Sequence, residues 1–348
     1  MTDPRPLLDV QDMRVTFPIR GAGDLPWTKP RQLHAVGGVS FTLEPGETLG
    51  IVGESGSGKS TLARGLIGLA PATGRAIWQD GTDLIGLSPR GMLKYRADIQ
   101  MVFQDPLASL NPRMTVGQII AEPLTTHHPG LSRDTVKTRV KEMMERVGLL
   151  PNQINRYPHE FSGGQCQRIG IARALIVAPK LIICDEPVSA LDVSIQAQVI
   201  NLLADLQRDL GLALIFIAHD LSVVKHISDR VLVMYLGKIM EIAGADRLYA
   251  SPRHPYTQAL LSAVPLPDPQ REREKTVIPL SGDLPSPMAP PSGCVFRTRC
   301  PRAAALCAER PPQLQGEAGH LTACHFPGPL TPGEIARAGG TPRQPVPA

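Results

Sequence analysis

The sequence contains no apolar run long enough to cross a membrane. A transmembrane helix needs about 20 predominantly apolar residues, whereas the best apolar runs, Leu212–Ala218 and Val231–Leu236, have the length of strands. The N-terminus, which begins Met1-Thr-Asp-Pro, lacks the apolar centre of a secretory signal. We therefore expect a cytoplasmic chain that reaches a membrane only through a partner.

Strongly charged segments are also missing. Lys and Arg total 36 against 32 Asp and Glu, a net charge of +4, and no five or six like charges occur in a row. Nucleic-acid-binding domains usually concentrate their basic residues in one patch, so we expect no nucleic-acid partner. The mild basicity suits an anionic membrane surface, and the 42% hydrophobic share is that of a globular protein.

The closely spaced cysteine pairs of a typical zinc site are absent. Four of the six cysteines, Cys294, Cys300, Cys307 and Cys324, lie in the C-terminal part, separated by five, six and sixteen residues. In a reducing compartment such a group is more typical of a metal site than of disulfides. An iron–sulfur cluster, zinc and no metal all remain open on the residues alone. We interpret Cys166 and Cys184 as structural.

A shift in composition suggests where the main domain ends. Of the 35 prolines, 19 lie in residues 251–348. Pro265–Pro269 and Pro285–Pro291 are typical of stiff, extended linkers. The residues after Phe326 have few apolar side chains to bury, so we expect a disordered tail there.

A glycine-rich segment, Gly53-Glu-Ser-Gly-Ser-Gly-Lys59-Ser60, fits the pattern G-x-x-x-x-G-K-[ST] between a predicted strand, Thr48–Val52, and a predicted helix, Ser60–Leu69. Glycines let main-chain N–H groups point at phosphate oxygens, Lys59 supplies a cation for the β- and γ-phosphates, and the Ser60 hydroxyl ligates Mg²⁺. The alternative is a flexible turn. The predicted nucleotide-binding residues here are Gly53, Glu54, Ser55, Gly56, Ser57, Gly58, Lys59, Ser60 and Thr61, with Glu54 and Ser55 contributing only main chain.

Two carboxylates follow the apolar run Leu181–Cys184. Open α/β sheets place their chemistry at the carboxyl ends of strands. We predict that Asp185 holds Mg²⁺ together with Ser60, and that Glu186 polarises the water that attacks the γ-phosphate. Without the phosphate loop, a solvated strand end would be the better interpretation.

Gln104 and His219 also follow apolar runs. Gln104 could ligate Mg²⁺ or orient water, and His219 could contact the γ-phosphate. On the residues alone, a structural role is an equal alternative for each.

Phe161-Ser-Gly-Gly-Gln165 opens a second helix with an anion-binding N-terminus. The alternative is an N-cap serine followed by a flexible turn. This segment resembles the signature motif of the ABC ATPase family, and Ser189-Ala-Leu-Asp192 resembles its D-loop. The resemblance implies an α/β fold of the P-loop NTPase type: a RecA-like core sheet, an antiparallel β subdomain and a helical subdomain, here with a small Cys-containing C-terminal extension.

The resemblance also assigns roles across two subunits. Members of the family pair head to tail, so that the phosphate loop of one subunit and the signature of the other enclose one ATP. The signature residues implied are Ser162, Gly163, Gly164 and Gln165, and Asp192 is the implied D-loop residue. Phe17 occupies roughly the place of the adenine-stacking aromatic.

Longer segments resemble the ATP-binding subunits of oligopeptide and dipeptide importers. They are Gln104–Arg113, Tyr157–Phe161, Asp185–Ser194 and His254–Leu261. The resemblance implies an ABC ATPase domain over 1–250 with its helical subdomain at about 105–175, an importer extension over 251–326, and a disordered tail over 327–348. It also implies ATP and Mg²⁺ as cofactors and a [4Fe–4S] cluster on the four C-terminal cysteines.

The implied partners are a second ATPase subunit, a different paralogue, two membrane-spanning permease subunits and an extracytoplasmic peptide-binding protein. The chain would then lie peripherally on the cytoplasmic face of the inner membrane. Two alternatives are a soluble ABC ATPase of DNA repair or translation and an interaction module in which ATP only stabilises the fold. The single phosphate loop disfavours the first, and the intact Glu186 and His219 disfavour the second.

Overall fold

The computed structural model describes residues 5–21, 25, 27, 29–265, 268–280 and 282–339. Its strands are β1 (Leu8–Ile19), β2 (Arg31–Leu43), β3 (Thr48–Val52), β4 (Ala72–Trp78), β5 (Ile99–Val102), β6 (Leu181–Asp185), β7 (Ala213–Ile217), β8 (Arg230–Tyr235), β9 (Lys238–Gly244), β10 (Gln315–Glu317) and β11 (His320–Thr322).

The α-helices are α1 (Lys59–Leu66), α2 (Pro89–Asp98), α3 (Val116–His127), α4 (Arg133–Arg146), α5 (Gly163–Leu175), α6 (Val193–Leu210), α7 (Leu221–Ile227), α8 (Ala245–Ala250), α9 (Pro255–Ala263), α10 (Pro269–Glu274), α11 (Ala305–Glu309) and α12 (Pro332–Arg337). Among the described residues, no helix combines the length and the apolar character needed to span a bilayer.

The larger sheet determines where the chemistry can lie. Its strand order is β10-β11-β9-β8-β3-β7-β6-β5, and β8, β3, β7, β6 and β5 run parallel. Every residue of β3, β6 and β7 is buried, as expected for parallel strands covered on both faces. The carboxyl ends of the neighbouring strands β3, β7, β6 and β5 therefore meet at one edge of the sheet.

The smaller sheet is antiparallel, in the order β2-β1-β4. Its strand β2 begins at Arg31 and pairs with β1 along its length. The register shifts along this pair, and Gly38 has a φ of +97°. Such an irregularity hides the alternating pattern by which a strand is recognised.

The range predicted for the helical subdomain, 105–175, holds α3, α4 and α5. Ser132 accepts a hydrogen bond from the main-chain N–H of Thr135 and caps α4. Val140 and Met144 are buried on its inner face, so its apolar stripe belongs to the core.

The C-terminal extension is built onto the larger sheet. β11 pairs with β9, and β10 pairs with β11. Glu241 in β9 and His320 in β11 are both fully buried and lie 2.6 Å apart, between Oε1 and Nε2. The residues after 250 thus complete the sheet that begins in the ATPase part of the chain.

Two expectations for this region differ from the structure. Pro269 begins α10, within a segment predicted to be an extended linker; residues 266 and 267 lie outside the described residues. The tail predicted to be disordered contains α12, which Thr331 caps. Arg302 binds Glu334 of α12 through Nε···Oε1 and Nη2···Oε2 contacts of 2.8 Å each, a long-range ion pair that composition does not reveal. Residues 340–348 lie outside the described residues.

Candidate nucleotide-binding and hydrolysis site

The phosphate loop joins β3 to α1 and requires glycine at two points. Gly53 and Gly58 have φ values of +153° and +100°, which L side chains rarely adopt. A Cβ at Gly53 would lie 2.2 Å from the carbonyl oxygen of Met234, and one at Gly58 would lie 2.3 Å from that of Ala35. The loop backbone therefore passes closer to its neighbours than any side chain would allow.

Lys59, the first residue of α1, is almost completely buried. Its Nζ donates hydrogen bonds to the carbonyl oxygens of Gly53, at 2.8 Å, and Glu54, at 3.1 Å. Burial lowers the pKa of Lys59, while the charges of Glu186 and Asp185 act in the opposite direction. The loop thus encloses a cation close to two carboxylates.

Ser60 and Asp185 form the candidate magnesium site. The Ser60 hydroxyl donates to Asp185 Oδ1 at 2.6 Å. Asp185 is 1% exposed, and its Oδ2 has no hydrogen-bond partner within the described part of the protein. Burial raises the pKa of Asp185, and the Ser60 hydrogen bond opposes that rise. Paired hard oxygens with an unsatisfied carboxylate atom fit the ligands that Mg²⁺ prefers.

Glu186 has a left-handed backbone, with a φ of +47°. For a residue other than glycine, such a conformation costs on the order of 1–3 kcal/mol and persists only where its surroundings enforce it. The Glu186 N–H donates to the Ile217 carbonyl at 3.0 Å, and Ser189 Oγ donates to the Glu186 carbonyl at 3.1 Å. Hydrogen bonds to the end of β7 and to the segment after β6 therefore stabilise the strained conformation of Glu186.

The structure brings the three predicted catalytic residues together. Gln104 Nε2 donates to Glu186 Oε2 at 3.0 Å, and His219 Nδ1 lies 3.7 Å from the same oxygen. Gln104 follows β5 and His219 follows β7, on either side of β6. The His219 side chain is 59% exposed, whereas that of Glu186 is 16% exposed.

The signature residues lie at the surface, at the start of α5. Ser162 and Gln165 cap the helix reciprocally: the Ser162 N–H donates to Gln165 Oε1 at 2.9 Å, and the Gln165 N–H donates to Ser162 Oγ. A Cβ at Gly164 would lie 2.4 Å from Ile195 Cγ2, so the signature packs on the segment that follows Asp192. Ser162, Gly163 and Asp192 are exposed, and Gly164 and Gln165 are half-buried.

The remaining predicted residues are placed as follows. Phe17 is half-buried in β1 opposite Leu33, and its role with adenine stays a prediction. Within the loop, Ser55 and Gly56 are exposed, Ser57 is buried, and Thr61 is half-buried in α1.

The sequence did not reveal what holds Glu54. We expected only its main chain to contribute, but its carboxylate accepts two hydrogen bonds from Arg299, at 2.6 and 3.1 Å. Its N–H donates to the hydroxyl of Tyr256 at 2.9 Å. Both partners are more than 200 residues away in the chain, so no local pattern could have indicated them.

The four C-terminal cysteines do not form a site for a single metal ion. Across the described ranges, no group of three or more His, Cys, Asp or Glu side chains is placed to hold one. The four thiols nevertheless lie close enough to influence one another's ionisation. Burial, together with the charge that neighbouring thiolates would carry, raises the pKa of Cys300 to about 12 and that of Cys324 to about 11. Burial also raises the pKa of Cys294.

A glycine-rich loop after a central parallel strand, a buried lysine, and two carboxylates at the end of a second strand of the same sheet define a phosphate-loop nucleotide hydrolase. Two family models match the chain, one described as "ABC transporter" over residues 36–189 and one as "Oligopeptide/dipeptide transporter, C-terminal region" over residues 240–307.

Similar proteins and structures agree with these matches. The oligopeptide transport ATP-binding protein OppF of Salmonella typhimurium is 64% identical over 93% of this chain and 97% of its own length. The oligopeptide transport ATP-binding protein AppF of Bacillus subtilis is 55% identical over 92% of this chain and 97% of its own length. CbiO1 from Clostridium perfringens, part of the ABC transporter complex cbiONQ, superposes with a TM-score of 0.59 at 29% identity, covering 70% of this chain and 91% of that one.

A dimeric structure of the ATP-binding cassette MJ0796 with ADP and Pi has a TM-score of 0.60 at 27% identity, covering 68% of this chain and 98% of that one. The chain therefore belongs to the ABC transporter family, among the oligopeptide transport ATP-binding proteins. The fold class and the family expected from the sequence are confirmed.

The burial of Asp185 gives a test of its role. Burial raises the pKa of Asp185, so its charged form is less favourable in the folded protein than in the unfolded chain. We expect Asp185→Asn to stabilise the nucleotide-free protein by about 1 kcal/mol, or about 2–4 °C in melting temperature, and to abolish the Mg²⁺ dependence of ATP binding. Thermal melting and nucleotide titration with and without Mg²⁺ measure both effects.

A suitable control is Asp98→Asn, because Asp98 forms an exposed ion pair with Lys180 and its loss should change the stability by less than about 0.5 kcal/mol. A less stable Asp185→Asn protein that kept Mg²⁺-dependent binding would contradict this account.

Proposed function

We propose that this chain is the ATP-hydrolysing subunit of an ABC importer and energises the uptake of oligopeptides or dipeptides. The observation that carries the proposal is the convergence of Gln104 and His219 on Glu186, beside the Ser60–Asp185 pair and the phosphate loop. The similar proteins are oligopeptide transport ATP-binding proteins, and they supply the class of cargo.

Each residue has a chemical task in this proposal. The loop N–H groups and Lys59 bind the β- and γ-phosphates. Ser60 and Asp185 hold Mg²⁺, which when bound neutralises charge on the phosphate oxygens. Glu186 orients the attacking water and accepts its proton. Gln104 and His219, both in contact with the Glu186 carboxylate, position that group and report the state of the γ-phosphate.

A second ATPase subunit would complete each site. The exposed Ser162 and Gly163 at the N-terminus of α5 supply N–H groups for the γ-phosphate of an ATP held by the partner. Val193, beside Asp192, is 81% exposed, as expected for a residue covered in a dimer. The dimeric MJ0796 cassette supports this arrangement, and we propose a different paralogue as the partner.

A surface groove of about 380 Å³ offers a docking site for the membrane subunits. Its lining includes Leu69, Phe103 and His127, and Phe103 directly precedes Gln104. Arg173 also lines it and donates to the Ser109 carbonyl at 2.7 Å, which ties α5 to the segment after Gln104. A cytoplasmic helix of a permease subunit in this groove would move with that segment.

The complete importer in this proposal contains two ATPase subunits, two permease subunits and an extracytoplasmic peptide-binding protein, and the chain lies on the cytoplasmic face of the inner membrane.

Glu186→Gln should separate ATP binding from hydrolysis. The amide keeps the size of the side chain but cannot accept the proton, so we expect ATP turnover to fall at least about 100-fold while ATP-dependent association of the ATPase subunits persists. Phosphate release by the importer in lipid nanodiscs and light scattering of the ATPase subunits measure the two properties.

Glu145→Gln, an exposed change in α4, serves as the matched control and should leave turnover unchanged. If Glu186→Gln retained normal turnover, Glu186 would not be the catalytic carboxylate.

We also propose that the four C-terminal cysteines hold a [4Fe–4S] cluster. The alternatives drawn from the sequence are no metal and zinc, although the described residues provide no site for a single ion. The main-chain N–H of Phe326 donates to the sulfur of Cys324 at 3.4 Å, and hydrogen bonds to sulfur are typical of cluster ligands. A cluster spreads its ligands wider than one zinc ion does, since zinc–sulfur bonds are only about 2.3 Å long.

Anaerobic purification with an iron assay and visible absorption spectroscopy tests the cluster. We expect close to four irons per chain and broad absorption in the visible range, both lost in Cys300→Ser and both kept in the control Cys166→Ser. A colourless protein that contains zinc, or no metal, would rule the cluster out.

A further inference from the structure

The phosphate loop is clamped by side chains of the C-terminal extension. Arg299 forms a two-point ion pair with Glu54, the second residue of the loop, with Nη1···Oε2 and Nη2···Oε1 distances of 2.6 and 3.1 Å. The side chains are 6% and 28% exposed. A bidentate pair of this kind fixes orientation as well as distance.

The main chain of Glu54 is held as tightly as its side chain. Its N–H donates to the hydroxyl of Tyr256 at 2.9 Å, and its carbonyl accepts from Lys59 Nζ at 3.1 Å. One loop residue therefore contacts the extension at two points and the phosphate-binding lysine at a third. Any rotation of Glu54 would change where Lys59 and the adjoining loop N–H groups point.

The two residues that contact Glu54, Arg299 and Tyr256, pack against a buried cluster of aromatic rings. Tyr256 and Phe296 are fully buried and pack with Tyr235, with ring centroids 4.9–5.3 Å apart. The Arg299 guanidinium lies 5.9 Å from the centre of the Tyr235 ring, a cation–π contact, and also donates to the Leu280 carbonyl at 3.4 Å. These contacts already restrict the Arg299 side chain in the nucleotide-free protein. Little side-chain conformational entropy is therefore lost when Arg299 positions Glu54 for nucleotide binding.

We propose that Arg299 is a positioning residue of the nucleotide site, which acts through Glu54 to keep the phosphate loop in its binding conformation. Arg299 and Tyr256 both lie in the 240–307 region that matches the peptide-transporter C-terminal model, so this region sets ATP affinity. The inference rests on the proposed ATP site. It predicts an effect mainly on affinity, because the apparent dissociation constant rises as the binding-competent fraction falls.

The test compares full-length variants by fluorescent nucleotide titration and by steady-state ATPase kinetics of the importer. Arg299→Ala should raise the dissociation constant and KM for ATP about five- to tenfold and leave kcat within about twofold. Arg299→Lys keeps the charge but loses the two-point geometry, so it should recover part of the affinity. Glu54→Gln should weaken binding, and the double variant Arg299→Ala/Glu54→Gln should be no weaker than Arg299→Ala alone.

Arg302→Ala is the matched control. Arg302 also forms a two-point pair with a carboxylate, that of Glu334, within the same extension, and its loss should leave ATP affinity unchanged. Glu54→Gln changes the loop partner of the ion pair and leaves the residues of the extension unchanged. It therefore still tests the proposal if Arg299→Ala does not fold.

Wild-type affinity in both Arg299→Ala and Glu54→Gln would overturn the proposal, as would an equal loss in Arg302→Ala or strictly additive effects in the double variant. If the wild-type protein itself bound no ATP, the proposed function would fail instead, so the two failures are distinguishable.

Discussion

A buried lysine and a buried aspartate, brought together at the end of a parallel sheet, are the feature on which the rest of the structure depends. Lys59 and Asp185 lie almost entirely out of water, where isolated charges are costly. Burial lowers the pKa of Lys59 and raises that of Asp185, so it favours the neutral form of each. The charge of each residue opposes the shift in the other. The fold tolerates them because loop carbonyls and the Ser60 hydroxyl supply hydrogen bonds, and a nucleotide with its metal would supply the remaining partners.

The other parts of the molecule can be understood as support for this pair. The central strands bring Gln104, Glu186 and His219 to the same edge, where the Glu186 carboxylate contacts the other two side chains. The extension completes the sheet through β11 and binds Glu54 of the loop through Arg299 and Tyr256. In this view, the C-terminal region is part of the ATP-binding machinery rather than an appendage.

Local sequence patterns predicted which residues meet at the centre of the candidate site, and the roles given to these residues stay predictions. The phosphate loop has a fixed spacing, and Asp185, Glu186 and His219 each follow an apolar run, so their meeting at one sheet edge follows from strand direction alone. The role of the exposed signature at the start of α5 came only from the family resemblance. Within one chain, residue spacing gives no reason for a second anion-binding helix N-terminus.

Contacts between distant segments could not be predicted in the same way. The Arg299–Glu54 pair joins residues separated by 245 positions, and neither residue type is unusual where it stands. β10 and β11 have only three residues each and acquire their strand conformation from pairing with each other and, in β11, with β9. The residues after Phe326 were expected to be disordered for lack of apolar side chains, but α12 depends on a capping threonine and on the Arg302–Glu334 pair.

The most direct test of the central claim is an equilibrium titration of the purified protein with fluorescent Mg·ATP, comparing wild type with Lys59→Ala and with the exposed control Lys180→Ala. We predict that Lys59→Ala weakens binding at least tenfold, or about 1.4 kcal/mol, while Lys180→Ala binds as wild type does. Equal affinity in all three proteins would contradict the assignment of this loop as the phosphate-binding element.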